Sequence, residues 1–380
     1  MIGALVLALA AASSGDAGHA QRIHFGVAAG AKLLKVCKTS HELQLDSIGS
    51  STDGMPVIVD PVGGWVSSNQ RFDFLDEYVA CDGDRATVLR RGFVAISSDG
   101  RLDATLAGVK QLSDKSHAQS PLLGQTVAFT WVPEERDWSR CYDRVDAEEE
   151  WLAPLRGEFD LLALLPPNDV EPGARWDIDP ARLREVLAPG GDLSMLPTGG
   201  SLFGRSMELG IGGDFADFLG PSPQGRAQAT FSGVREIALD ETPAGGASER
   251  PQRKLRVAAI ALEIELHSLR DRGDLYRMAM PADERAQAAR VDAVPLEYAL
   301  KATGELLWDL DAGHFHALSI RGTESFFTQV RKTQFAGAET HEYVQQSRFS
   351  GALVIDVQCS DGEGVAAPVA RDVSAQTRRR

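Results

Sequence analysis

The sequence lacks any hydrophobic run long enough to cross a bilayer as a helix, which takes roughly 20 apolar residues. The N-terminal run from Ile2 to Ala12 is too short. Small residues follow it, with suitable cleavage positions after Ala17 or Ala20, as is typical of a secretory signal peptide. No Lys or Arg precedes the run, which departs from that pattern. We expect a signal peptide at 1–20 and an exported protein, periplasmic or extracellular and not transmembrane. A buried N-terminal strand or helix is the alternative.

Positive charge is also scarce, because 39 Lys and Arg residues stand against 54 Asp and Glu residues, a net charge of −15 at pH 7. Such a surface repels polyanions, so no nucleic-acid partner is expected. The one dense basic run, 378–380, lies in a stretch at 365–380 that we predict to be a disordered, solvated tail.

Cysteine is sparse, and none of its positions forms a CxxC pair, so neither a zinc knuckle nor a thioredoxin-like redox site is indicated. An even number of cysteines in an exported chain permits two disulfides with three pairings. A bond between Cys37 and Cys359 would tie the two ends of the chain together, but the sequence does not determine the pairing. Buried free thiols are the alternative. The four residues are Cys37, Cys81, Cys141 and Cys359.

The signature motifs of common enzymes are absent. The chain has no GxxxxGK[ST] phosphate loop, no GxSxG nucleophile elbow and no HExxH zinc motif. The glycines at 210–213 lack the spacing and the strand–helix setting of a dinucleotide site. No cofactor and no catalytic residue is therefore predicted, which favours a protein that is not an enzyme.

Alternation of apolar and polar residues is what the sequence has in abundance, and a period of two predicts β-strands. Long runs in the second half predict long antiparallel strands, which twist and curve. We therefore predict a mainly β fold, a large curved antiparallel sheet or half-barrel with a few short helices. The clearest runs lie at 32–48, 101–112, 125–131, 159–165, 227–239, 254–269, 295–310, 314–327 and 350–359.

Helical signals are few. Asp179 can cap a short helix, Pro180 suits its first position, and an apolar stripe follows at 183–187. We expect 21–364 to form a single β-rich domain. The glycine-rich stretch at 189–223 is the alternative boundary between two parts.

Two histidines, His314 and His316, follow a turn at 311–313. A three-residue turn would place His316 opposite Trp308, so that both histidines share an apolar face with that indole. A metal site would need at least a third ligand, and only a distant residue such as His267 could supply it. The pattern favours packed imidazoles over a metal site.

Glu263 and Glu265 alternate with apolar residues along one predicted strand. The ordinary interpretation is that both line the wet face of the sheet. If that face is concave, both would point into a ligand groove, where a carboxylate pair could also support glycosidase-like chemistry.

Three stretches, "SPLLGQTVAFTW", "LLALLPPNDVEPGARWDI" and "KATGELLWDLDAGHFHALSI", are similar to those of a group of uncharacterised exported bacterial proteins common in planctomycetes. The resemblance covers most of 65–330. It implies an exported β-rich protein and supplies no catalytic residue. The shared positions here are Leu165, Pro166, Val170, Gly173 and Trp176, followed by Gly304, Asp309 and Gly313.

Three functional hypotheses follow from this pattern. The first is a non-catalytic envelope protein that binds an apolar or amphiphilic ligand, such as a lipid or other envelope component, in a concave sheet. The second is a structural or protein-interaction module of the cell envelope. The third is a carboxylate-dependent hydrolase.

Overall fold

The computed structural model describes residues 20–57, 62–106, 109–143, 149–197, 218–220, 222–238, 254–273, 289–336 and 339–365. The predicted signal peptide, most of the glycine-rich stretch and the predicted tail lie outside these ranges. Within them, no helix is both long and apolar enough to span a bilayer.

The described ranges hold fifteen strands, and all of them belong to one sheet. The strands are β1 (Lys32–Thr52), β2 (Met55–Val57), β3 (Val62–Asp82), β4 (Arg85–Leu106), β5 (Val109–Gln119), β6 (Thr126–Val132), β7 (Asp137–Tyr142), β8 (Arg175–Ile178), β9 (Leu196–Pro197), β10 (Gln224–Ala238), β11 (Lys254–Asp271), β12 (Ala289–Ala293), β13 (Pro295–Asp309), β14 (His314–Ala336) and β15 (Glu339–Asp361).

The main path of the sheet runs β7-β6-β4-β3-β1-β15-β14-β13-β11-β10-β8, with β2, β5, β9 and β12 paired beside it. Every recorded pairing is antiparallel, and the first and last strands, β1 and β15, lie side by side at its centre. Strands before and after 189–223 share this sheet. The predicted mainly β fold with one large antiparallel sheet is confirmed.

One face of the sheet is buried, as the period of two requires. On β1, for example, Cys37 and Leu43 are buried whereas Lys38 and Glu42 are exposed. Each large apolar side chain removed from water contributes about 1.5–3 kcal/mol of transfer free energy, so this face is the main source of stability.

Two segments cover the buried face: the N-terminal segment (residues 20–31) and the covering segment (residues 149–197), which lies outside the sheet except for β8 and β9. Phe159 of the covering segment packs against Phe74 and Phe315, with ring centroids 5.6 and 6.0 Å apart. The protein's own side chains therefore occupy this part of the apolar face. Other buried residues of the two segments include Ile23, Phe25, Leu155, Leu164, Leu183, Val186 and Leu187.

The helices of the covering segment follow the sequence signals in part. The Asp179 side chain accepts a hydrogen bond of 2.9 Å from the Ala181 amide, followed by a 3-10 turn at Pro180–Arg182 and a short α-helix, α1 (Leu183–Leu187). The predicted strand at 159–165 is wrong. That stretch contains a 3-10 turn at Leu162–Leu164 and covers the sheet instead of joining it.

Candidate functional site

The hairpin between β13 and β14 has a different register from the predicted one. Asp309 pairs with His314, and Trp308 faces Phe315 rather than His316. The register then shifts by one residue, which leaves His316 as the extra residue of a bulge. The prediction that both histidines share the face of Trp308 is wrong, because Phe315 takes the buried position.

The histidines do not form a metal centre in the described part of the chain. His267 lies ten residues along β11 from Val257, which pairs with Asp309, a separation of about 33 Å. It therefore cannot share an ion with His314. Burial lowers the pKa of His316, and the His314 charge adds to this against the opposing effect of Asp309. Across the described ranges, no three His, Cys, Asp or Glu side chains are placed to hold a metal.

All four cysteines are free thiols in this structure, so neither of the two disulfides that the sequence permits is formed, and the alternative of free thiols applies. Cys37 pairs with Val357 while Cys359 pairs with Lys35, so the two cysteines lie on neighbouring strands without facing each other. Burial raises the pKa of both thiols to about 12, which keeps them protonated and unreactive.

Glu263 and Glu265 lie on the exposed face of β11 and line an open groove of about 450 Å³. Arg226, Lys301 and Arg321 stand beside them. The groove lies on the opposite side of the sheet from the apolar core. A ligand role for this glutamate pair stays a prediction.

A network of charged side chains lies inside the apolar core, on β1, β3, β4 and the covering segment. Lys35 Nζ lies 2.8 Å from Asp76 Oδ2 and 2.7 Å from Asp160 Oδ1. Arg91 binds both oxygens of Asp76 through Nε and Nη2, at 2.7 and 2.8 Å. Its Nη1 and Nη2 also donate to the carbonyl oxygens of Arg156 and Gly157.

The charges of this network stabilise one another. Burial alone would raise the pKa of Asp76, but the charges and hydrogen bonds of Arg91 and Lys35 lower it to about 2. Burial would likewise lower the pKa of Lys35, but Asp160 and Asp76 raise it above its usual value. Lys35 and Asp76 therefore stay charged at neutral pH although both are buried.

We expect part of the protein's stability to be lost in acid. The pKa of Asp76 falls from 3.8 to about 2 on folding, so this carboxylate stabilises the fold above its unfolded pKa. The contribution is lost as the pH falls from about 4 towards 2, and it amounts to roughly 2 kcal/mol. Urea unfolding across this pH range measures it. Between about pH 4 and pH 2, the free energy of unfolding of an Asp76→Asn variant should fall by roughly 2 kcal/mol less than that of the wild type. An equal fall in both proteins would contradict the assignment.

A polar cleft of about 510 Å³ opens directly above this network. Its walls come from five places: the N-terminal segment, the β3–β4 turn, Trp138 on β7, the covering segment at 157–169, and α1 with the turn before it. The cleft falls within the roughly 300–1,000 Å³ typical of small-molecule sites. Its charged side chains are Arg22, Asp84, Arg85, Glu158, Asp160, Asp169, Arg182 and Glu185.

Asp160 connects the buried network to the cleft. Its Oδ1 accepts hydrogen bonds from Lys35 Nζ and from the Tyr78 hydroxyl. Burial and the Asp160 charge raise the pKa of Tyr78 well above its ordinary value, so the phenol stays a donor. Within the described ranges, Asp160 Oδ2 has no hydrogen-bond partner. The Asp160 side chain is only 10% exposed, but Oδ2 is not among its fully buried atoms. One carboxylate oxygen is thus fixed, and the other is free to accept a hydrogen bond at the cleft that Asp160 lines.

Two further carboxylates lie near Asp160 on the cleft wall. Glu158 accepts a hydrogen bond from the Trp138 indole and lies 3.8 Å from an Arg85 nitrogen. Glu185, on α1, has no hydrogen bond or ion pair within the described ranges. Burial raises the pKa of Glu185, and the nearby Glu158 charge raises it further against the opposing effect of Arg182.

The N-terminal wall of the cleft is held by the hairpin between β13 and β14. The Trp308 indole donates a 3.1 Å hydrogen bond to the His24 carbonyl, and the Gly26 amide donates to the Gly313 carbonyl at 2.9 Å. Gly313 has φ +69°, and a Cβ there would lie 2.5 Å from Gly26 backbone atoms, so only glycine fits. The histidine-containing hairpin therefore positions this wall of the cleft.

A second stretch quoted for the family resemblance, at 161–178, forms part of another wall of the cleft. The backbones of Val170 and Gln21 exchange two hydrogen bonds, each amide donating to the other carbonyl. The Trp176 indole donates to the Leu164 carbonyl at 3.2 Å. Gly173 turns the chain with φ +89°. These contacts tie the covering segment to the N-terminal segment and, within the covering segment, hold β8 to the 3-10 turn at Leu162–Leu164.

Comparisons with known proteins add little. No family model and no curated protein matches the sequence. Two solved structures are similar over most of the chain. One is the outer membrane protein OprG from Pseudomonas aeruginosa, at 8% identity and TM-score 0.19, covering 88% of this chain and 97% of that one. The other is the COG4313 outer membrane channel from Pseudomonas putida F1, at 9% identity and TM-score 0.21, covering 89% and 98%. TM-scores this low carry no argument about fold or function.

Proposed function

We propose that the protein is a non-catalytic binding protein, and that it holds a small polar ligand bearing an ammonium group in the cleft above Asp160. The observation that carries the proposal is the orientation of the Asp160 carboxylate. Lys35 and Tyr78 fix one of its oxygens, while the other has no partner among the described residues and belongs to a side chain that lines the cleft.

A preorganised acceptor of this kind suits a cationic donor. Because the carboxylate is already immobilised, binding a ligand costs no conformational entropy for ordering it. The hydrogen bond to a charged donor is also stronger because the carboxylate is largely desolvated. Glu185 supplies a second carboxylate on the same wall. The cleft carries five carboxylates against three guanidinium groups, a formal excess of two negative charges that attracts cations.

The proposal replaces the apolar or amphiphilic ligand expected from the alternating strands with a polar one, for two reasons. The apolar face of the sheet is covered by Phe159 and its neighbours, whereas the enclosed cleft is lined by charged groups. The proposal also includes the predicted export from the cell, so that the protein would act as a binding protein of the cell envelope.

Calorimetric titration with amino alcohols of four, six and eight carbons tests the proposal. We expect millimolar or tighter binding by one of them, and an Asp160→Asn variant should bind at least about tenfold more weakly, because a charge-assisted hydrogen bond becomes a neutral one. Asp356→Asn is the matched control, since Asp356 is a surface carboxylate paired with Arg321. Equal affinity in the wild type and the Asp160 variant would overturn the proposal, as would no binding up to about 10 mM.

A further inference from the structure

Arg85 presents unused hydrogen-bond donors on the wall of the same cleft. Its guanidinium lies 3.6 Å above the Trp131 ring, and Trp131 packs edge-on against Trp138 at 5.6 Å between ring centroids. The closest carboxylate oxygen, on Glu158, is 3.8 Å away, too far for a hydrogen bond. The Arg85 Nε is buried and has no hydrogen-bond partner within the described residues.

A buried guanidinium nitrogen without a partner is costly, since each unmade hydrogen bond of a buried polar group costs about 1–3 kcal/mol. Stacking on the indole holds the planar group in one orientation, with its donors directed along the ring plane. Planar, bidentate donors of this kind suit a carboxylate or phosphate. The buried Nε is itself closed to a ligand, but the Arg85 side chain is 36% exposed and lines the cleft, so its terminal nitrogens form a preformed anion-binding group there.

We infer that the ligand is a zwitterion, whose ammonium group binds Asp160 and Glu185 and whose anionic group binds Arg85. The inference rests on the proposed function, because it adds a second contact to a ligand already held at Asp160. It gives a role to carboxylates and guanidinium groups that line one cleft without direct pairing: among the described residues, Glu185 forms no hydrogen bond or ion pair within 4 Å, and the Glu158 oxygen nearest to Arg85 is 3.8 Å away.

The test compares ω-amino acids of four, six and eight carbons with the amino alcohols of the same lengths. The paired probes share the ammonium group and differ only in the anion, and the length series covers different spacings between the two charged groups. In the wild-type protein, we expect the best amino acid to bind at least about tenfold more tightly than its amino alcohol, the effect of one charge-assisted contact.

An Arg85→Gln variant should bring the two probes of that length to nearly equal affinity, because the amino acid loses its anion contact while the amino alcohol is not weakened. Arg235→Gln is the matched control, since it removes the same charge from a surface residue that pairs with Glu305 at 2.8 Å. Amino alcohols that bind as tightly as amino acids in the wild type would overturn the zwitterion inference and leave the proposed function intact. Binding by neither series would overturn both. The comparison of amino acids with amino alcohols in the wild-type protein tests the inference even if the Arg85→Gln variant does not fold.

Discussion

Replacing Arg91 with methionine should destabilise the protein by about 3–5 kcal/mol, because the change leaves the buried Asp76 carboxylate with Lys35 alone. It also removes the hydrogen bonds to the Arg156 and Gly157 carbonyls, which fix the covering segment beside the cleft. Denaturant unfolding measures the loss.

The neighbouring residue offers a matched control. Arg90 lies on the other face of β4, about one-third exposed, and pairs with Glu77 and Asp143. Arg90→Met should cost less than about 1 kcal/mol, as exposed ion pairs do. The double variant Asp76→Leu, Arg91→Met should recover part of the loss, because Lys35 keeps Asp160 as its partner. An Arg91→Met variant no less stable than Arg90→Met would show that the network does not stabilise the fold.

Replacing Trp308 with alanine is expected to cost about 3–5 kcal/mol, the usual penalty for removing a fully buried indole. The variant also loses the hydrogen bond to the His24 carbonyl, so the N-terminal segment should open locally. Hydrogen exchange at the Gly26 amide, which donates to Gly313, reports this opening.

Two further substitutions separate packing from hydrogen bonding at this hairpin. Trp308→Phe keeps most of the apolar volume and loses the indole donor, so it should cost about 1–2 kcal/mol. Trp65→Ala removes a partly exposed indole from β3 and should have a small effect. Unchanged exchange at Gly26 in Trp308→Ala would contradict the anchoring role of the hairpin.

The sheet was predictable because its signal is local. Alternation over many residues identifies long strands with one buried face. The register at His316 was not predictable, because a one-residue bulge leaves no mark in the composition yet exchanges the two faces of a strand. The stretch at 159–165 reads as a strand because it is apolar except for Asp160, and only the tertiary structure places it over the sheet.

The cleft was missed because its residues come from five separated stretches, but the network beneath it left a signal. Each of its charged strand residues sits between two large buried residues at positions i−2 and i+2, on the face that the alternation assigns to the core. A charge at such a position must find a buried partner, so the three strands could have been linked. The three triplets are Leu33–Lys35–Cys37, Phe74–Asp76–Tyr78 and Leu89–Arg91–Phe93.

The most direct test of the binding cleft is to observe where the ligand lies. The Trp138 indole donates to Glu158 on the cleft wall, so its N–H resonance should shift when the ω-amino acids are added to nitrogen-15-labelled protein. The Trp65 indole, which is exposed on β3, should not move. Trp138→Phe assigns the signal. Saturable shifts at Trp138 that disappear in Asp160→Asn are the predicted result, and shifts confined to other indoles, or no shift at saturating ligand, would contradict the account.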